Sequence, residues 1–336
     1  MKHAQIRLGR AFVLAIAAGA LARTAHAADV VDLRRESVWQ VDDVTTTTVK
    51  EATEQAIAEV SADPAQPAPA PSIHKIVVDA RLLERCTEVD AKGRRLRTAV
   101  YVAAFSAEDG PTKDTSLEGA VLEVTGTGKD RAARVVSSKE ELSKTAKAFL
   151  SRRYGGGRPD PDSARSYWLP KSPVGVGDMW SADIGAFLEA TESGTALDRT
   201  KTATSCTLAS VEKGIATVTC SGRLALATFP AKAKGKPVPW KSGGIQNVQG
   251  TIAMTVEGRL VPSSLSFATN LVGEAELGGK TVSFRFKTDR TIEEAVGGAW
   301  PATVKLPEPP AAPATAPGTP ASPAPVGEPG MGGMGG

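Results

Sequence analysis

The sequence is poor in the residues on which most catalytic and metal chemistry rests. It has 3 histidines and 3 cysteines in 336 residues, only 5% aromatics, and no long apolar run. Two of the histidines, His3 and His26, lie in an N-terminal stretch with the marks of a leader. Lys2, Arg7 and Arg10 precede the short apolar run 11–22, and Ala25-His26-Ala27 is a small-x-small cleavage site. Cleavage after Ala27 leaves His74 as the sole histidine, which excludes histidine-rich zinc sites and forces any Ser-His-Asp or Cys-His arrangement onto one residue. An isolated histidine beside a strand start is read as a surface residue. The run 11–22 is well short of the roughly 20 residues a bilayer span needs, and no cysteine follows the expected cut. Export to the periplasm, cell envelope or exterior is therefore expected, with no transmembrane segment after leader removal and no lipoprotein anchor. Disulfides persist in such oxidising compartments.

Charge of one sign is also lacking. Lys plus Arg number 40 against 37 acidic residues, a formal charge of +3. The leader carries Lys2, Arg7, Arg10 and Arg23 and no acid, so the mature chain comes to −1. A nearly neutral chain gives no electrostatic reason to expect nucleic acid or an anionic membrane as partner.

Alternation of apolar and polar residues fills most of what remains. In Ser205–Cys220 two alternating runs flank Glu212-Lys213-Gly214, the composition of a three-residue hairpin loop. That loop pairs Val211 with Ile215 and sets Cys206 opposite Cys220 in a non-hydrogen-bonded pair, where cross-strand side chains lie closest. Cys206 and Cys220 are the disulfide candidates, and Cys86 is a third cysteine that could compete for either. A two-residue Gly-Gly turn at 278–279 pairs Ala275 with Val282, Gly273 with Phe284 and Leu271 with Phe286. Ser283, Arg285, Lys287 and Asp289 then fall on the opposite, wet face.

Further strands are predicted over 76–89 and 96–105 around the turn Asp90-Ala91-Lys92-Gly93, and over 117–124 and 132–137 around 125–130. Val100–Phe105 is apolar on both faces, the pattern of a central strand covered twice. Residues 37–50 read as a strand, but Ala52, Ala56 and Val60 recur at i+4 and leave a helix over 49–60 open. Residues 63–72 are a proline-rich connector and 231–244 an irregular loop. Ser138-Lys139-Glu140-Glu141 has capping-box spacing, and Leu142, Ala146, Phe149 and Leu150 then make an apolar stripe, so one amphipathic helix is expected near 138–154, stopped by Gly155 to Gly157. From about Lys305 the chain is Pro, Ala and Gly and cannot bury a core.

Several patterns that carry chemistry elsewhere fall short here. Gly126 and Gly128 lack Walker spacing and no Gly-Lys-Ser/Thr follows. Asp160-Pro161-Asp162 lacks the rest of a calcium loop. Two methionines among the terminal glycines are thin support for Cu(I) binding. The aromatics of Tyr167–Trp180 suit a packed crossing segment better than a sugar platform.

Within that segment, Leu169-Pro170-Lys171-Ser172-Pro173-Val174-Gly175-Val176-Gly177-Asp178-Met179-Trp180, followed by alternating strands and the turn Val256-Glu257-Gly258-Arg259-Leu260, resembles a family of exported bacterial β-rich domains of unknown function. In that family a proline-valine-glycine-aspartate-tryptophan connector joins two β-rich halves. The resemblance implies one β-rich unit over 28–300, with halves 28–168 and 178–296 joined by 169–177, a leader at 1–27 and a tail at 305–336. It brings no catalytic residues. A looser likeness is to the curved open sheets of periplasmic lipoprotein carriers.

The expected fold is mainly β, a β-rich α+β arrangement of long antiparallel strands in a curved sheet or open barrel. The expected function is that of a non-enzymatic envelope binding or scaffolding protein. A carrier of an apolar ligand or lipid is the alternative, and a hydrolase using carboxylates only is a weaker one. No catalytic, cofactor-binding or metal-ligating residue is singled out, and no cofactor is expected.

Overall fold

A computed structural model of the protein describes residues 30–60, 69–127, 130–155, 167–184, 186, 196–228, 232–233, 236–237, 240–277 and 279–308. The expected leader, most of the 63–72 connector, Asp160 to Asp162 and the tail beyond 308 lie outside the described residues. The strands are β1 (Val44–Glu59), β2 (Ser72–Val89), β3 (Arg95–Asp109), β4 (Thr112–Asp114), β5 (Val121–Thr125) and β6 (Ala132–Ser137). After helix α1 (Lys144–Tyr154) come β7 (Met179–Trp180), β8 (Ala196–Leu197), β9 (Ala203–Glu212), β10 (Ile215–Thr228), β11 (Lys232–Ala233) and β12 (Lys236–Pro237). The last three are β13 (Trp240–Thr255), β14 (Ser263–Leu277) and β15 (Lys280–Val296).

All the strands but β11 and β12 form one open antiparallel sheet in the order β6-β5-β3-β2-β1-β15-β14-β13-β10-β9-β7, with β4 beside β3 and β8 beside β10. The first and last long strands meet in the middle, where Thr45 to Glu59 pair with Val296 to Val282 without a break. The mainly β expectation is met, and the sheet is open rather than a barrel. β1 starts at Val44, not near Ser37, and it runs through the segment for which a helix was open. Two flanking ladders, to β2 and β15, satisfy its backbone along nearly its whole length and override the i+4 spacing. β13 likewise begins at Trp240, so the irregular stretch is shorter than 231–244.

One face of the sheet is apolar and holds two clusters. Over β1, β2, β3 and β5, α1 contributes Ala146, Phe149, Leu150 and Tyr154, with the Phe149 ring 5.4 Å from that of Phe105. Over β9, β10, β13 and β14, the cover is the segment of Trp168, Leu169, Val174 and Ile184 together with Leu33. Val31 and Val174 form a β-bridge there, and the Trp180 indole N–H donates to the Trp168 carbonyl at 2.8 Å. Trp168 is buried against Phe267, ring centroids 4.3 Å apart, so this segment packs rather than presenting a platform. Opposite Phe267 sits Gly250, where an added Cβ would come within 2.4 Å of the ring.

Bulges account for two departures from simple alternation. The register of β2 and β3 shifts between Arg81–Ala104 and Leu82–Val102, leaving Ala103 unpaired. That one residue brings Val100, Val102, Phe105 and Ala107 into the same cluster, while on the other face Ala99 is buried and the Tyr101 ring packs 6.3 Å from that of Trp300. In the β9–β10 hairpin the loop is Lys213-Gly214, both at positive φ (50° and 74°), between the pair Glu212–Ile215. This two-residue turn replaces the expected three-residue loop. A shift between Ser210–Thr217 and Leu208–Val218 leaves Ala209 over and restores the register, so Cys206 still faces Cys220. The two form a disulfide with Cα atoms 4.1 Å apart, and Cys86 is free and buried. The Leu277–Lys280 pair, and Ala275–Val282, Gly273–Phe284 and Leu271–Phe286 beyond it, follow the expected register.

Helix α1 starts five residues later than the capping-box spacing implied. Its N-cap is Ser143, whose Oγ accepts from the Ala146 N–H at 3.0 Å, while Ser138 Oγ donates to the Glu140 carbonyl. Asp114 of β4 accepts hydrogen bonds from the Ser143 hydroxyl and from the Ser116 N–H at 2.9 Å, an anchor that sequence spacing cannot display. The helix ends at Gly155 in extended conformation, φ −65°, not in the left-handed one.

Two substitutions test this architecture. Replacing Cys206 and Cys220 together by alanine removes a cross-link spanning 14 residues and should cost about 3 kcal/mol, read as a lower denaturation midpoint. Gly250→Ala should cost about 1–3 kcal/mol through overpacking against Phe267, whereas an unchanged midpoint would mean that the ring moves freely.

Candidate functional site

Two places combine polar chemistry with a defined geometry. The first is buried where the end of α1 meets β2 and β3. Glu84 is 4% exposed, and both of its carboxylate oxygens are occupied. Oε1 accepts from the Tyr154 hydroxyl at 2.7 Å and from Arg153 Nη2 at 3.0 Å, and Oε2 from Arg95 Nη1 at 3.2 Å. Burial alone would push this carboxyl up, but the charges of Arg153 and Arg95 and the hydrogen bonds from Tyr154 and Arg153 outweigh it and hold the pKa at about 2. The Tyr154 hydroxyl is pushed up by burial and by Glu84, so it stays protonated. The Arg153 Nε donates to that hydroxyl at 3.2 Å. Arg95 stacks on the Trp39 ring at 4.0 Å, and Arg131 lies over the Tyr154 ring at 5.3 Å.

The signal for this cluster was present in the sequence only as scattered arginines on what reads as a solvated helix face. Arg153 is instead buried, its side chain 6% exposed. A neighbouring pair repeats the theme, with Glu123 held by Arg97 at 2.9 Å and Arg134 at 2.8 Å. Among the described residues the carboxylate at its centre is fully engaged, with Glu294 acting on Arg153 as well, which is the make-up of an ion network.

The second place is on the wet face. Directly paired residues share a face, so the ladder carries Thr207, Thr219, Thr251 and Ser266 across β9, β10, β13 and β14 in one row. Ser205, Ser221, Gln249 and Ala268 form the next row. Together with Met179, these residues line an open depression of about 430 Å³. None of the lining residues is charged. Its hydroxyl and amide groups both donate and accept, and Met179, 69% exposed, supplies an apolar rim. No sequence motif marks this place; it appears only when register sets the rows side by side.

The disulfide candidates Cys206 and Cys220 are joined beneath the depression, with Cys220 among its lining. His74 is exposed, its Nε2 2.7 Å from Asp109 Oδ1 across the β2–β3 ladder. Among the described residues no group of three or more His, Cys, Asp or Glu could hold a metal ion. No helix among them is long and apolar enough to cross a membrane.

No family model matches the chain. No curated protein matches it either. Among solved structures it is similar to one titled as lipid-protein interactions in lipovitellin, at 7% identity and a TM-score of 0.38. The match covers 80% of this chain and 27% of that one, so the chain spans about a quarter of that structure's length. A likeness at this score carries no argument about function.

The Glu84 cluster predicts a specific acid response. A carboxyl whose folded pKa lies below its unfolded value of 4.5 stabilises the fold above about pH 4.5, and that stabilisation is lost as pH falls toward about 2. The loss should be on the order of 3 kcal/mol. Thermal melts between pH 7 and 2 should show a shallower decline for Glu84→Gln than for the wild type, from a lower starting point, because Arg95 and Arg153 are left buried without their anion. Parallel declines would remove Glu84 from the account.

Proposed function

We propose that this is an exported, non-enzymatic binding or scaffolding protein of the cell envelope, meeting its partner through the wet face of the sheet over β9, β10, β13 and β14. The observation that carries the reading is the open, uncharged, hydroxyl- and amide-lined depression at that place. Such a lining suits a neutral polar surface better than a charged one, which would find no opposite charge there. The Cys206–Cys220 bond fits an oxidising compartment. The connector over 169–180 supports placing the chain with the exported β-rich domains it resembles.

The alternative, a carrier of an apolar ligand, draws on the other face, where Phe284 and Phe286 are half-buried and pack against the second cluster. The described side chains of that face are largely filled by its own cover, which is why the wet face is preferred.

Affinity capture from native envelope fractions tests the choice. A component retained by the wild type should fall at least about tenfold with Thr219→Lys plus Thr251→Lys, since a desolvated charge costs more than one factor of ten in binding. The variant should melt like the wild type because both positions are exposed. Equal retention would reject the wet face. Titration with a fluorescent apolar probe should be flat, and saturable uptake by the folded protein would replace this reading with the carrier.

A further inference from the structure

The charges at the end of α1 do not balance. Arg95, Arg131 and Arg153 face Glu84, with Glu294 acting on Arg153 at longer range. Both Glu84 oxygens are taken by other groups, so Arg131 is left without an ion pair among the described residues, although it is only 9% exposed. Its neighbour is the Tyr154 ring, which is not an anion, since burial and Glu84 keep the phenol protonated. Arginine holds its charge at neutral pH, and a largely buried cation that shares one carboxylate with two others and bonds to none is costly. Stacking on one aromatic face offsets only part of that cost.

We propose that Arg131 anchors an anion site at the end of α1, which takes a small oxyanion such as a phosphate or sulfate group. The guanidinium fork matches two oxygens of such a group, and Arg95 and Arg153 add an attractive field without surrendering their bonds to Glu84. The site lies on the apolar side of the sheet and is separate from the depression on the wet face, so the two readings stand or fall independently. Free phosphate and a phosphate headgroup share this chemistry.

The test is a comparison of wild type with Arg131→Met, which keeps the apolar stem on Tyr154 and removes the charge. In chloride the variant should melt at or above the wild-type temperature, because an unpaired buried charge has gone. In inorganic phosphate at the same ionic strength the order should reverse, the wild type gaining a few degrees and the variant none. Lys92→Gln, in the exposed 90–93 turn, should follow the wild type in both salts. A variant less stable than wild type in chloride would make Arg131 an internally satisfied structural cation and overturn the site. So would equal phosphate gains in both proteins. If that variant does not fold, Arg131→Lys takes its place, since it keeps the charge but loses the fork and should gain less in phosphate than the wild type. Co-sedimentation with phosphatidylcholine vesicles, with and without phosphatidic acid, then identifies the source. Pelleting that needs phosphatidic acid and Arg131 supports a headgroup, and a phosphate effect without pelleting supports the free ion.

Discussion

The pairing of β1 with β15 is the constraint on which the rest of the sheet depends. Without it, β1 to β6 would form one antiparallel sheet and β7 to β10 with β13 to β15 another, with β1 and β15 left as long unpaired edges. The ladder between Thr45–Glu59 and Val282–Val296 joins them into a single surface and sets both faces in phase. Its entropic cost grows only slowly with the length of chain enclosed. Its kinetic cost is larger, because contacts between chain ends form late. Thr45, Thr47 and Val49 of β1 are buried, but from Glu51 onward the strand is half-buried on both faces, so side-chain burial alone would not hold that half. Continuous backbone pairing on both sides does.

The helix is fixed against this sheet by charge as well as by apolar contact. Arg152 and Arg153 are consecutive, yet they reach different strands. Arg152 lies 3.5 Å from Glu51 on β1, which also meets Arg290 of β15 at 3.5 Å, and Arg153 meets Glu84 on β2. Buried ion pairs add little net stability, but an unpaired partner is expensive, so they penalise every other placement of α1. Ser143 and Asp114 fix the opposite end. The apolar stripe of Ala146, Phe149 and Leu150 tells the helix which face to bury, and the two polar ends tell it where.

These distinctions explain what could be read from the sequence. Alternation and turn composition identified the Cys206–Cys220 pairing and the register of β14 with β15, because both are local. The first was reached through a loop one residue too long, an error that the Ala209 bulge cancels. The bulge at Ala103 left no trace beyond an apolar run, since a period-2 reading has no way to mark a skipped residue. The true N-cap at Ser143 depends on Asp114, 29 residues away, and Ser138 offered a better local match. Neither polar place was visible. Glu84 is separated from Tyr154 by 70 residues, and the depression draws on five strands whose order only the completed ladder reveals.

The wet face is not uniform, and its differences bear on where a partner would dock. Near the middle it is ion-paired. Lys50 stands opposite Asp79 across β1 and β2, and Lys287 lies 3.1 Å from Asp289. Mixed charges of this kind keep a broad sheet soluble and discourage stacking on another sheet. Over β9, β10, β13 and β14 the same face carries hydroxyls and amides, and there it dips. Removing water from charges is costly, whereas hydroxyls and amides exchange water for ligand groups at little net cost. The disulfide braces this concave patch from below, so the charged and the neutral regions are carried on one continuous sheet.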